Sequence, residues 1–119
     1  MVSHADPLNV HAIAVEEGII GAIGVFPQTD IFAKNAEMGY WLAETYWGKG
    51  IMSEAVKQAV SYGFRTWPID RIFARPFGGN AGSIRVLEKA GFTFEARFEK
   101  TIYKFGEYHD ELVYAIRKL

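Results

Sequence analysis

From Val10 to Val25 two apolar runs flank Glu16-Glu17-Gly18, the pattern of a β-hairpin with a polar turn. Pro27 to Asn35 is polar or turn-forming and predicts a connecting loop. Glu37 to Leu42 predicts a third strand. Because side chains alternate across a strand, Glu37, Gly39 and Trp41 share one face and Met38, Tyr40 and Leu42 the other. The period then changes. Met52, Ala55, Val56, Ala59, Val60, Gly63, Phe64 and Trp67 recur at the spacing of one helix face, with polar residues between them. Pro68 lacks an N–H and disfavours helix in the residue before it, so this helix should stop near Trp67.

A strand from Arg71 to Arg75 follows. Asn80 is placed to cap a second, shorter helix that runs to Lys89-Ala90, with Gly91 where a left-handed residue usually ends a helix. Phe92, Phe94, Ala96 and Phe98 alternate with Thr93, Glu95 and Arg97 and mark another strand. Gly106-Glu107 separates it from a last one, Glu111 to Ile116. The order is β-β-β-α-β-α-β-β, which predicts an α+β fold with a mixed, mostly antiparallel central sheet and two helices. The strand-helix-strand passage from Glu37 to Arg75 should make a right-handed crossover between parallel strands, and the first and last strand pairs should be hairpins. No repeat or linker divides the chain, so residues 1–119 are expected to form a single domain.

Half of the residues are apolar and 15% aromatic, enough for a packed interior. Thirteen basic against fourteen acidic side chains leave a formal charge of −1, so no global field draws the chain to nucleic acid or to an anionic membrane. A phosphate-bearing ligand would need a local site. With no cysteine there are no disulfides, thiolate metal sites or thiol nucleophile, and a cytoplasmic location is the expectation. The longest apolar run, Gly18 to Phe26, is about half of the ~20 residues that span a bilayer, and the first residues have neither a basic start nor an apolar core of a secretory signal. His4, His11 and His109 are scattered without ligand spacing and read as surface residues, so no metal is expected.

Chemistry concentrates in Tyr46-Trp47-Gly48-Lys49-Gly50-Ile51-Met52-Ser53-Glu54-Ala55, between the third strand and the long helix. Glycines let backbone approach a ligand, and the free N–H groups at a helix start favour an anion such as a pyrophosphate. On spacing alone an ordinary strand-to-helix turn explains the glycines equally well. A kinase-type P-loop is excluded, since Gly-x-x-x-x-Gly-Lys-Ser/Thr occurs nowhere. With Ala36-Glu37-Met38-Gly39-Tyr40-Trp41-Leu42 before this block, and Asn80, Ser83, Leu87, Glu88, Lys89, Ala90, Gly91 and Phe92 after it, the chain resembles the GNAT N-acetyltransferases, within them the ribosomal-protein alanine acetyltransferase branch. The resemblance runs from about His11 to Leu119. The family's cofactor motif, Arg or Gln, two residues, Gly, one residue, Gly or Ala, falls on Trp47, Gly50 and Met52, and only Gly50 matches strictly.

The resemblance implies a direct transfer of acetyl from acetyl-CoA to an amine, either a protein N-terminus or a small molecule. Coenzyme A would lie between splayed third and fourth strands, its pantetheine pairing with backbone near Trp41, Leu42 and Ala43 and its pyrophosphate on Gly48, Lys49, Gly50, Ile51, Met52 and Ser53. Asn80 and Ser83 match positions that contact the pantetheine arm and the thiol side; Asn80 equally suits a plain helix cap. Glu37 matches the strand glutamate that serves some members as general base, where partial burial would raise its pKa toward the working range; a solvated strand-end glutamate is the rival reading. Many members carry a tyrosine as acid where this chain has Leu87, leaving Ser83 as the substitute, against the ordinary backbone-bonding role of a serine in a helix's first turn.

A non-catalytic acyl-CoA-binding or regulatory subunit is the alternative, and a module used only for association would follow if Met52 blocked the cradle. The aromatic residues of the last hairpin, Phe98, Tyr103, Phe105, Tyr108 and Tyr114, suit core packing or a dimer contact better than a substrate channel. Family members carry a strand and two helices before the first hairpin, whereas only a short segment precedes Val10 here. On that reading the Val10 to Val15 strand is an exposed edge, and the expected assembly is a homodimer that covers it.

Overall fold

The alternating apolar runs at the start form strands β1 (Val10–Val15) and β2 (Gly18–Pro27), joined through Glu16-Glu17. A computed structural model describes residues 8–119, so His4 lies outside the described residues. After a single 3₁₀ turn at Asp30–Phe32 come β3 (Asn35–Leu42), a second 3₁₀ turn at Glu44–Tyr46, and helix α1 (Ile51–Thr66). Strand β4 (Arg71–Ala74), helix α2 (Ala81–Lys89) and the long hairpin β5 (Thr93–Lys104) and β6 (Glu107–Arg117) complete the chain. Among the described residues six strands form one sheet in the order β1-β2-β3-β4-β6-β5, in which only β3 and β4 run parallel. The predicted element order and α+β class hold.

The even-numbered face of β3 is the core face. Met38 is buried with Ile23 and Val25 of β2, Ile72 and Ala74 of β4, and Tyr114 of β6, and Tyr40 and Leu42 pack against that cluster. Met52 and Val56 from α1 and Leu87 from α2 close it, so both helices cover the same side of the sheet. Gly63 belongs to this face because α1 approaches the sheet closely there: a Cβ would lie 3.1 Å from Ile72 and 3.3 Å from Val25. Pro68 acts as expected, with the helix ending at Thr66 and Trp67 already extended. Asn80 caps α2 by accepting from the Ser83 N–H at 3.1 Å, and Gly91 ends it at φ +96°.

Three boundaries depart from the pattern. Strand β3 starts at Asn35, two residues before Glu37, because Asn35, Ala36 and Glu37 pair with Arg71, Ile72 and Phe73. The last hairpin is longer than its apolar stretches, reaching a tight turn at Phe105-Gly106, where both residues have positive φ. The alternation from Phe92 to Phe98 does not mark one face. Phe92 is buried ahead of the strand, and a register shift between Phe94 and Ala96 puts Phe94 opposite Tyr114 on the helix side but Phe98 opposite Glu111 on the other. Of the hairpin aromatics only Tyr114 is in the core; Tyr103, Phe105 and Tyr108 are exposed, with Tyr103 and Tyr108 meeting edge to face at 5.0 Å. The second sheet face carries Phe26, Glu37, Trp41, Phe73 and Phe98, and among the described residues no helix covers it.

Candidate acyl-CoA site

The sheet opens where β3 and β4 part. Their parallel pairing ends at Glu37 opposite Phe73, yet β3 continues to Leu42 beside β2. The chain beyond β4 stays with β6 instead: Ala74 pairs with Tyr114, the Leu112 N–H donates to the Pro76 carbonyl at 2.9 Å, and the Gly78 N–H donates to the Asp110 carbonyl at 2.8 Å. A gap therefore widens from Glu37 toward Leu42, walled on one side by backbone that has lost its strand partner.

At the far end of the gap the sequence folds into an anion cradle. Gly48 and Gly50 have φ of +76° and +80°, the left-handed region that favours glycine, and a Cβ at either would meet nothing within 4 Å. Gly50 is the N-cap of α1 and offers no side chain, so the N–H groups of the first turn, from Ile51, Met52 and Ser53, are left for a ligand. This arrangement fits a pyrophosphate. The Met52 side chain does not fill it, being buried in the core. The exposed Lys49 lies over the Tyr46 ring at 5.7 Å.

Some of the backbone expected to pair with pantetheine is already engaged. The Trp47 indole N–H donates to the Leu42 carbonyl at 2.7 Å, and the Ala43 N–H donates to the Ile20 carbonyl at 2.8 Å. Trp47 thus fastens the cradle turn to the end of β3 rather than offering its N–H to a ligand. The Trp41 side chain stands exposed on the uncovered face.

Glu37 sits at the mouth of the gap on the uncovered face, half-buried as expected, but a cation meets it. Arg75 donates through Nε and Nη2 to the two carboxylate oxygens at 2.8 and 3.2 Å, and its Nη1 lies 3.6 Å from Glu111. The hydrogen bond to Glu37 holds the Arg75 guanidinium above its ordinary pKa. The lone half-buried carboxylate expected at Glu37 is in fact one end of a Glu37-Arg75-Glu111 chain. Sequence reasoning passed over Arg75, because nothing local in the chain ties it to Glu37, 38 residues away.

On the helix side of the same gap stands a second pair. The Tyr40 hydroxyl lies 2.6 Å from Ser83 Oγ, bringing together β3 and the first turn of α2. Burial raises the Tyr40 pKa, and the bond to Ser83 lowers it by less. The structure thus brings Ser83 and Asn80 together with Tyr40, and sets Glu37 apart from them across β3. Leu87, where many GNAT enzymes carry a tyrosine, is fully buried in the core. Neither described histidine is a free surface residue: His11 packs edge-on to Tyr62 at 4.7 Å and His109 to Phe77 at 5.0 Å, with His109 Nε2 buried and unpartnered.

A family model described as the acetyltransferase (GNAT) domain matches residues 3–93. The chain belongs to the GNAT acetyltransferase family. This GNAT domain is 39% identical over 103 residues to the "Probable N-acetyltransferase YjcK" of Bacillus subtilis (strain 168), covering 87% of the chain and 57% of that protein. Its fold superposes on the ribosomal-protein-S5-alanine acetyltransferase of Vibrio fischeri with a TM-score of 0.77 at 30% identity, covering 86% of this chain and 56% of that one. It also superposes on RimL, a ribosomal L7/L12 alpha-N-protein acetyltransferase in complex with coenzyme A, with a TM-score of 0.81 at 29% identity, covering 91% of this chain and 60% of that one. The chain thus spans little more than half the length of these relatives. Each of the three blocks on which the resemblance rests now has a place in the fold: the third strand beside the gap, the glycine turn at its far end, and the capped start of α2.

Proposed function

We propose that this GNAT domain is an acetyl-CoA-dependent N-acetyltransferase that delivers acetyl to an amine, either a protein N-terminus or a small molecule. The observation that carries the reading is the parting of β3 and β4 after Glu37, with an uncapped glycine cradle at its far end and a hydroxyl pair on its helix side. Acetyl-CoA supplies an activated thioester whose acetyl carbon an amine attacks directly. The chain's own residues divide the remaining work. Gly48 to Ser53 bind the pyrophosphate through backbone N–H groups and the helix dipole. Glu37, or a water it holds, takes the proton of the attacking amine on the uncovered face, and Ser83 faces the thiol side. Glu37 and Tyr40 occupy opposite faces of one strand, so a group lying in the gap between β3 and β4 is reached from both sides at once. A peptide acceptor accords with the names of the ribosomal-protein acetyltransferases to which the chain is similar.

Calorimetry with acetyl-CoA, followed by thiol release across a panel of amine acceptors, tests this reading. Binding with acceptor-dependent thiol release is expected; binding without release from any acceptor overturns the enzyme in favour of an acyl-CoA-binding subunit. Two observations favour that second reading: the Leu87 position is closed off in the core, and the Glu37 carboxylate is taken up by Arg75. We place the activity in the cytoplasm, since a chain without cysteine gains nothing from an oxidising compartment, and we propose a homodimer as the working assembly.

A further inference from the structure

The Tyr40-Ser83 contact joins residues 43 apart in sequence, across the helix side of the gap. Its two members are held differently. Ser83 is fixed by the cap of α2, where its N–H donates to Asn80 Oδ1 at 3.1 Å, so its hydroxyl hangs from a clamped first turn. Tyr40 is anchored by strand pairing opposite Ile23, and its ring is packed against the core. A phenol is a stronger hydrogen-bond donor than an aliphatic alcohol, so the favoured arrangement of the pair has Tyr40 donating and Ser83 Oγ accepting. Desolvation raises the Tyr40 pKa from a value already near 10, which keeps the phenolic proton in place across the neutral range. With its oxygen occupied as acceptor, the Ser83 hydroxyl retains one hydrogen that is not spent on Tyr40.

We propose that Tyr40 is a positioning residue for acyl transfer: its hydroxyl donates to Ser83 Oγ and turns the Ser83 O–H toward the sulfur of a coenzyme A thioester held between β3 and β4. The inference rests on the acetyltransferase reading and adds to it how the leaving-group side is served when position 87 is a buried leucine. In the step concerned, the N–C bond forms and the C–S bond breaks. The electron pair stays on sulfur, and the amine's proton passes to Glu37 or to water. Both hydroxyls keep their protons: the Ser83 O–H lowers the energy of the thiolate by hydrogen bonding, and Tyr40 only holds it in that orientation. Tyr40 acts only through Ser83, so loss of either hydroxyl should have much the same consequence.

The test titrates the thiol of free coenzyme A bound to the full chain, following thiolate absorbance in the ultraviolet against pH, and needs no acceptor. Wild-type protein is expected to lower the thiol's midpoint relative to coenzyme A in solution. Tyr40→Phe and Ser83→Ala should each return it upward by about one pH unit, a tenfold loss of thiolate at a given pH. The double variant should go no further than Ser83→Ala. A purely structural role for Tyr40 would change melting temperature but leave the midpoint alone. A wild-type midpoint in Tyr40→Phe that still binds coenzyme A overturns the proposal, as do additive shifts in the double variant. If Tyr40→Phe fails to fold, Ser83→Ala decides alone, because an unmoved midpoint there removes the group through which Tyr40 acts. Failure of the acetyltransferase reading looks different: wild-type protein then binds acetyl-CoA without releasing thiol to any acceptor, or does not bind it in calorimetry, whatever the variants do to the midpoint.

Discussion

Gly50 serves through what it lacks. Its φ of +80° disfavours any side chain by about 1 kcal/mol, yet the space around a Cβ is open, so substitution strains the turn without a clash. Gly50→Asp is expected to abolish coenzyme A binding by placing a carboxylate beside the pyrophosphate, while the domain stays folded. Gly50→Asn, with the same backbone strain and no charge, should retain measurable affinity. Calorimetry and thermal melting of the two variants separate charge from strain, and equal loss in both would assign the effect to the turn itself. Glu37 depends on its neighbour for placement. Glu37→Gln keeps a hydrogen-bond acceptor for Arg75 but removes the base, so turnover should fall by about 10²-fold, the lower range of general-base contributions, with cofactor affinity nearly unchanged. Wild-type turnover in that variant would make the Glu37-Arg75 pair a structural clasp at the mouth of the gap.

One side chain of β4 adds bonds to two other strands beyond the backbone ladders. Arg71 donates to Asn35 Oδ1 of β3 at 2.9 Å and to Glu95 of β5 at 2.5 Å, and Arg117 of β6 lies 3.8 Å from Glu95. The hydrogen bond from Arg71 holds the Glu95 carboxyl below its ordinary pKa. A depressed folded-state value means that the contribution to stability is fully present above the unfolded value of about 4.3 and is lost as pH falls through the lower folded value. Glu95→Gln should cost about 0.5 kcal/mol at neutral pH, as expected for an ion pair near the surface, and should flatten the fall in melting temperature on acidification below about pH 4.3. Parallel melting curves for the two proteins across that window would remove Glu95 from the acid response. The same elements show how far the sequence could be read. Periodicity and punctuation are local signals, so α1, its stop before Pro68, and the cap at Asn80 were all legible, as was the glycine turn. The register shift at Phe94-Ala96 was not, because alternation looks the same on either side of an inserted residue. Nor were Arg75 beside Glu37 or Tyr40 beside Ser83 legible, since these pairs lie 38 and 43 residues apart and meet only once strand order is fixed.

At the scale of the molecule, the two sheet faces are unequal. Helices α1 and α2 share one, while Phe26, Trp41 and Phe98 stand more than 40% exposed on the other. Among the described residues β1 pairs only with β2, so one row of its N–H and C=O groups is open along six residues. An unpaired edge beside exposed aromatic side chains is a template for association, and a two-fold arrangement lets identical edges or faces cover one another in a closed assembly. The chain is therefore expected to elute as a homodimer in gel filtration coupled to light scattering. Placing a charge on the open edge, as in Ala12→Lys, should shift it toward monomer, since an edge lysine opposes strand addition and Ala12 pairs only with Ala22 of β2. A monomeric, folded Ala12→Lys would place the interface on this edge. A wild-type monomer at high concentration would instead mean that the edge and the aromatic face are compatible with water as they stand, and would leave the gap between β3 and β4 to work within a single chain.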